Sequence, residues 1–112
     1  MRFSLWIVLL LAGPALAEDW RVLSSEEIRS ALSARVLQYA DGASQNFFTD
    51  GRTLYQAGAG ESWGKWWVEA DQYCSTWPPS EVPSCYGVAA QGPDIRFTGA
   101  SGDVTVGRYG DL

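Results

Sequence analysis

The chain has 112 residues, 46% of them hydrophobic, with 13 acidic against 8 basic side chains and a formal charge of −5. That length supports one domain with a single core, burying roughly 60–65% of the surface its unfolded chain exposes. Lys65 is the only lysine and there is no histidine, so nucleic acid is excluded as a partner for want of a basic patch. A Ser-His-Asp or Cys-His centre is excluded for want of its base, and the expectation is a non-enzyme with no catalytic residues, no cofactor and no metal.

The first segment, MRFSLWIVLLLAGPALA, has a basic residue at Arg2, an apolar run from Leu5 to Ala12, a Gly13-Pro14 break and the small-x-small triplet Ala15-Leu16-Ala17. The run is well short of the roughly 20 residues that span a bilayer, and the pattern is that of a cleaved export signal. Residues 1–17 are therefore read as a signal peptide and 18–112 as a single β-rich domain, with Glu18 as the new N-terminus and no membrane span in the mature form. Loss of Arg2 makes the mature domain one unit more acidic. The expected location is the periplasm or the medium.

A helix-start signature follows. Ser24 is spaced to cap while Glu27 reaches back to it, and Leu23 and Ile28 are spaced as the hydrophobic staple around that box. A short helix from Ser25 to about Ala34 is predicted, its apolar positions Ile28, Ala31 and Leu32 forming one narrow face that must rest on something larger.

From Arg35 onward helical periodicity gives way to turn signals: Asp41-Gly42, Asp50-Gly51, Gly58-Ala59-Gly60, Ala70-Asp71, Gly92-Pro93 and Ser101-Gly102-Asp103. They recur every nine to twelve residues or so, the rhythm of consecutive antiparallel strands. Strands are predicted near Val36–Ala40, Ser44–Thr49, Arg52–Gln56, Gly64–Glu69, Gln72–Trp77, Cys85–Ala89, Ile95–Thr98 and Val104–Arg108. The predicted fold is mainly β, a small antiparallel meander of about eight strands closing into a barrel or curved sheet, with one short N-terminal helix. If both Asp-Gly pairs form two-residue turns, Val36, Phe47 and Leu54 share one face, and Tyr39, Phe48 and Tyr55 the other. One face would then be core, and the other covered by the helix or left as an aromatic patch.

The stretch ESWGKWWVEADQYC contains three of the six tryptophans. In a strand, Gly64, Trp66 and Val68 share a face that reads as core, Gly64 leaving room for a neighbouring ring. Trp63, Lys65, Trp67 and Glu69 then share an outward face with rings set between charges, suited to stacking on a sugar or a peptide. The alternative is that both faces are buried and the tryptophans simply fill a small core.

Further on, both cysteines flank TWPPSEVPS. In an exported chain Cys74 and Cys85 form a disulfide, and the loop they close is worth about 3 kcal/mol in the chain-entropy model. The stiffened loop carries Trp77 and Glu81, a shape that can insert into a partner's cleft. A carboxylate pair for glycoside hydrolysis could be drawn from Asp50, Glu61, Glu69 and Asp71, yet each sits beside a turn, where acidic residues belong for local reasons. GAGAGESWG lacks the Lys-Ser/Thr and the helix of a phosphate loop and reads as a flexible connection.

Taken together, F-x-D-G-R-T at Phe48–Thr53, G-x-W-x-V at Gly64–Val68, D-x-Y-C-x-x-W at Asp71–Trp77 and the Cys85-Tyr86 pair resemble a group of short, exported, functionally uncharacterised proteobacterial proteins. The resemblance covers about half of the mature chain. It implies a small β-rich periplasmic domain with one disulfide and carries no activity to transfer. In architecture alone, small periplasmic inhibitors of lysozymes and of secreted proteases are similar. The function expected is binding of a protein or glycan through an aromatic surface, with Trp63, Trp67, Trp77 and Glu81 as the binding residues. The alternatives are an inhibitor of a periplasmic or foreign hydrolase, or a structural envelope protein without a discrete site.

Overall fold

The computed structural model describes residues 19–111; the expected signal peptide and the cleavage point before Glu18 lie outside them. Eight antiparallel strands close into a barrel: β2 (Arg35–Tyr39), β3 (Ser44–Phe47), β4 (Arg52–Ala57), β5 (Gly60–Glu69), β6 (Gln72–Thr76), β7 (Ser84–Gln91), β8 (Asp94–Gly99) and β9 (Val104–Tyr109). Each pairs with its successor, and β9 returns to β2 through Leu37↔Tyr109, Gln38↔Arg108 and Tyr39↔Gly107. Closure leaves the barrel strands without a free edge to template aggregation. An additional short strand, β1 (Arg21–Val22), pairs with β7 at Ala89 and Ala90, beyond the stretch that β6 occupies. The sequence carries no strand signal there, and two residues are too few to show an alternation.

The one helix among the described residues, α1 (Ser25–Leu32), starts as its sequence dictates. Ser24 accepts from the Glu27 backbone N–H, and Glu27 accepts from the Ser24 N–H at 2.9 Å. It ends two residues before the expected Ala34, because Ala34 takes a left-handed conformation (φ 63°) and donates to the Phe47 carbonyl. The helix lies across one end of the barrel. Ser25 exchanges hydrogen bonds with Asp71 in the β5–β6 turn, both 2.8 Å, and Tyr109 donates to the Ala31 carbonyl at 2.7 Å. Leu23, Ile28 and Leu32 thereby plug that end and pack with Leu37, Phe47, Trp66, Val88 and Ile95 into the core.

The predicted face assignment is corrected at the two Asp-Gly hairpins. In each, the glycine N–H donates to the carbonyl three residues back, Gly42 to Tyr39 and Gly51 to Phe48, and the glycine has φ 94°. These are three-residue loops, a turn followed by a left-handed glycine, instead of two-residue turns. Asp41 and Asp50 accept from the backbone N–H two residues on, 3.0 Å in both, which fixes the loop type. One extra loop residue shifts each register by one. Leu37 faces Gln45 and Phe47 faces Thr53, so Tyr39, Phe47 and Tyr55 all point into the barrel while Val36, Phe48 and Leu54 point out. The helix therefore closes an end of the barrel and does not cover a second aromatic face. The Gly58-Ala59 segment is a tight turn joining Ala57 to its partner Gly60, not a flexible connection.

Candidate functional site

Opposite the helix, between the β2–β3, β4–β5 and β6–β7 connections, the barrel interior stays open as a cavity of about 750 Å³. An eight-stranded barrel is just wide enough either to fill with side chains or to hold one small ligand. This one does both, filled at the helix end and open at the other.

Two inward glycines shape the wall. A Cβ on Gly64 would sit 2.6 Å from Trp77 Cε3 and 2.7 Å from the Thr76 carbonyl oxygen, so the Trp77 ring lies flat against β5 only because residue 64 has no side chain. Gly107 does the same for Tyr39, whose Cε1 is 2.9 Å from the place a Cβ would take. Tyr55 stands between these rings, its centroid 6.1 Å from Tyr39 and 6.3 Å, edge to face, from Trp77. Tyr73, Tyr86 and Phe97 continue the aromatic lining on the far wall, with centroids 5.2 to 6.4 Å apart.

The floor is polar and internally satisfied. Tyr39 donates its hydroxyl to Gln45 Oε1 at 2.7 Å, and Gln45 Nε2 donates to Thr53 Oγ1 at 2.9 Å and to the Tyr73 hydroxyl at 3.1 Å. The Thr53 hydroxyl donates to the Asn46 carbonyl, and Trp77 Nε1 donates to Ser75 Oγ at 3.1 Å. Burial of a polar amide is tolerated here because Gln45 finds these partners. Desolvation raises the Tyr39 phenol far above its ordinary range, with Tyr73, Tyr55 and Asp41 adding to the effect. Burial also raises Tyr73, opposed by its hydrogen bonds to Ser75 and Gln45. Both phenols stay protonated throughout the physiological range. At the rim stand two carboxylates, Asp41 and Glu61.

Of the sequence-predicted residues, the structure brings two to the open end. Trp77 belongs to the cavity wall and faces inward, whereas Glu81 stays exposed on the connection that follows it. Trp63 reaches the cavity rim from an outward register position, 47% exposed, stacked on Phe48 at 5.9 Å with the Arg52 guanidinium 5.2 Å from its ring. Trp67 is outward but half-buried, opposite Cys74, and donates Nε1 to Glu69 at 2.6 Å. The disulfide Cys74–Cys85 spans β6 and β7 on the outer wall, with Cα atoms 4.0 Å apart. Asp50 is held by Arg52, Glu69 by Trp67 and Asp71 by Ser25, so these three carboxylates serve separate local contacts while Glu61 stands at the open end.

Sequence reasoning missed Tyr39, Tyr55, Gln45 and Asp41 as site residues. Only the loop type would have found the tyrosines: three-residue loops at the Asp-Gly pairs place both on the Phe47 face. No family model, no curated protein and no solved structure matches this chain.

Proposed function

We propose that this chain is an exported binding barrel that holds one small organic molecule in its open end. The observation that carries the reading is the ring-lined cavity itself, whose volume falls within the roughly 300–1,000 Å³ typical of small-molecule sites. Its composition, half aromatic with polar side chains between the rings, is that of a pocket which stacks on an apolar body and orients it through hydrogen bonds. The protein acts without chemistry of its own. Export rests on the Met1–Ala17 pattern and on the disulfide, which suits the periplasm or the medium. Among the described residues no helix is long and apolar enough to cross a membrane. The outer wall carries Arg52, Lys65, Glu69, Arg96 and Arg108 at outward register positions, the reverse of a lipid-facing barrel surface. This supports a barrel that works in water.

The second reading is recognition of a glycan or protein on the outer face, favoured by the exposure of Trp63 beside Phe48. It is the weaker of the two because Phe48 and Arg52 already occupy much of the Trp63 ring. An inhibitor of a foreign hydrolase would use the same outer surface. Titration with an uncharged, environment-sensitive dye separates the readings. Dye should bind one to one, be lost in Ser62→Trp, which fills the mouth from an inward position of β5, and be retained in Phe48→Ala, which dismantles the outer patch at a residue outside the cavity lining. The opposite pattern would transfer the site to the outer wall.

A further inference from the structure

We infer that the open end of the barrel selects a small organic cation, an ammonium group carried on an aromatic or aliphatic body. This rests on the cavity being the ligand site and adds the charge class of its ligand.

Complementarity is the first argument. Among the described residues lining the cavity, the charged side chains are Asp41 and Glu61, and neither lysine nor arginine is present. Asp41 uses Oδ1 to hold its own turn through the Ala43 N–H, and Glu61 uses Oε2 to accept from Gln56. Asp41 keeps its other oxygen for a ligand, and Glu61, at an outward register position near the start of β5, adds its charge to the rim.

The state of the floor is a second and independent argument. The Tyr39 hydroxyl, both Gln45 Nε2 hydrogens and the Trp77 indole N–H are used internally, and the remaining donors of the lining are neutral hydroxyls such as those of Tyr55, Tyr73 and Ser62. An anion entering here would meet two carboxylates and no cationic group to offset its lost hydration. A cation meets oxygen lone pairs and the negative faces of Tyr39, Tyr55 and Trp77, which form one continuous wall. Attraction of an ammonium to such faces needs no hydrogen bond, and it strengthens as the site is desolvated.

The test uses a benzyltrimethylammonium probe, its neutral isostere with carbon in place of nitrogen, and the matching benzyl sulfonate. The first two carry a para-hydroxymethyl group for solubility, and all three are titrated calorimetrically into the disulfide-bonded protein. The ammonium should bind about tenfold or more tightly than its isostere, and the sulfonate weakest. In the double variant Asp41→Asn, Glu61→Gln, both new amides retain an acceptor for the existing hydrogen bonds, so the turn and rim persist. The ammonium should then lose about three- to tenfold in affinity, with the neutral probe unchanged. Equal binding of ammonium and isostere to the wild type would overturn the charge preference and leave the cavity as a ligand site. Failure of both to bind would overturn the cavity reading as well. An ammonium preference indifferent to the double variant would overturn the role of the two carboxylates.

Discussion

Trp66 and Trp67 are neighbours in sequence and opposites in environment. Strand alternation sends Trp66 inward, where it packs edge-on to Phe47 with centroids 5.7 Å apart and donates Nε1 to the Phe48 carbonyl at 2.9 Å. Trp67 goes outward, half-buried, with Glu69 as its partner. Truncating Trp66 leaves a cavity and removes one of the two hydrogen bonds to the Phe48 carbonyl, which keeps only the Gly51 N–H, so Trp66→Ala should cost about 3–5 kcal/mol. Trp67→Ala removes a partly exposed ring and should cost about 1 kcal/mol. Chemical denaturation of the two variants reads the contrast, and equal losses would mean that the outer indole is as much a part of the core as the inner one. This alternation was legible from Gly64, Trp66 and Val68 because one register choice decides a whole strand. The identity of the ring above Gly64 was not: Trp77 reaches it from just past the end of β6, through a register that no local pattern encodes.

At the scale of elements, the strands were readable and the loops between them were not. Asp-Gly serves both two-residue turns and three-residue loops, and the choice depends on whether the aspartate accepts from the N–H two residues on, as Asp41 and Asp50 do. That single residue per hairpin moved Tyr39 and Tyr55 from a supposed outer face into the cavity. The capping box of α1, by contrast, is a local device spelled out by Ser24 and Glu27, and it was legible in full. The β6–β7 connection shows a third case. Its cysteines predict a bridge, yet only the folded register puts that bridge on the outer wall, with Cys74 fully buried and Cys85 partly exposed. Reduction should lower stability by about 2–4 kcal/mol, since the bridge restricts the unfolded chain across a separation of 11 residues. Tyr73 would remain paired with Tyr86, and the cavity with it. Denaturation with and without reductant measures the loss. Indifference to reductant, with both thiols shown to be free, would remove the bridge from the stability of the barrel.

The whole molecule is closed by the seam between β2 and β9, and the polar floor ties across its lumen. Arg35 anchors the seam at the helix end, its guanidinium 3.6 Å from the Tyr109 ring centroid and 3.2 Å from Asp111. Inside, Tyr39 on β2, Gln45 on β3 and Tyr73 on β6 form one hydrogen-bonded chain. A barrel was foreseeable from eight evenly spaced strands, but a lumen that is half core and half cavity was not, because it depends on where the helix lies. This arrangement has a consequence for the pH response. An unfolded tyrosine ionises near pH 10, while Tyr39 and Tyr73 in the barrel have their phenols raised by burial. The stabilising difference is fully present below the unfolded value. As pH rises past about 10, the unfolded chain loses protons that the native barrel keeps, so stability falls with each further unit. Alkaline unfolding should therefore begin near pH 10, and part of the tyrosinate absorption should appear only together with the loss of near-ultraviolet circular dichroism. Tyr39→Phe keeps the ring over Gly107 and removes one of the three phenols raised by burial, Tyr109 being the third. It should be less stable at neutral pH by about 1 kcal/mol, for the lost hydrogen bond to Gln45, and should show a shallower decline above pH 10. If the tyrosines instead titrate fully near pH 10 with the fold intact, the floor is open to water, and the internally satisfied network that argues for a cationic ligand does not hold.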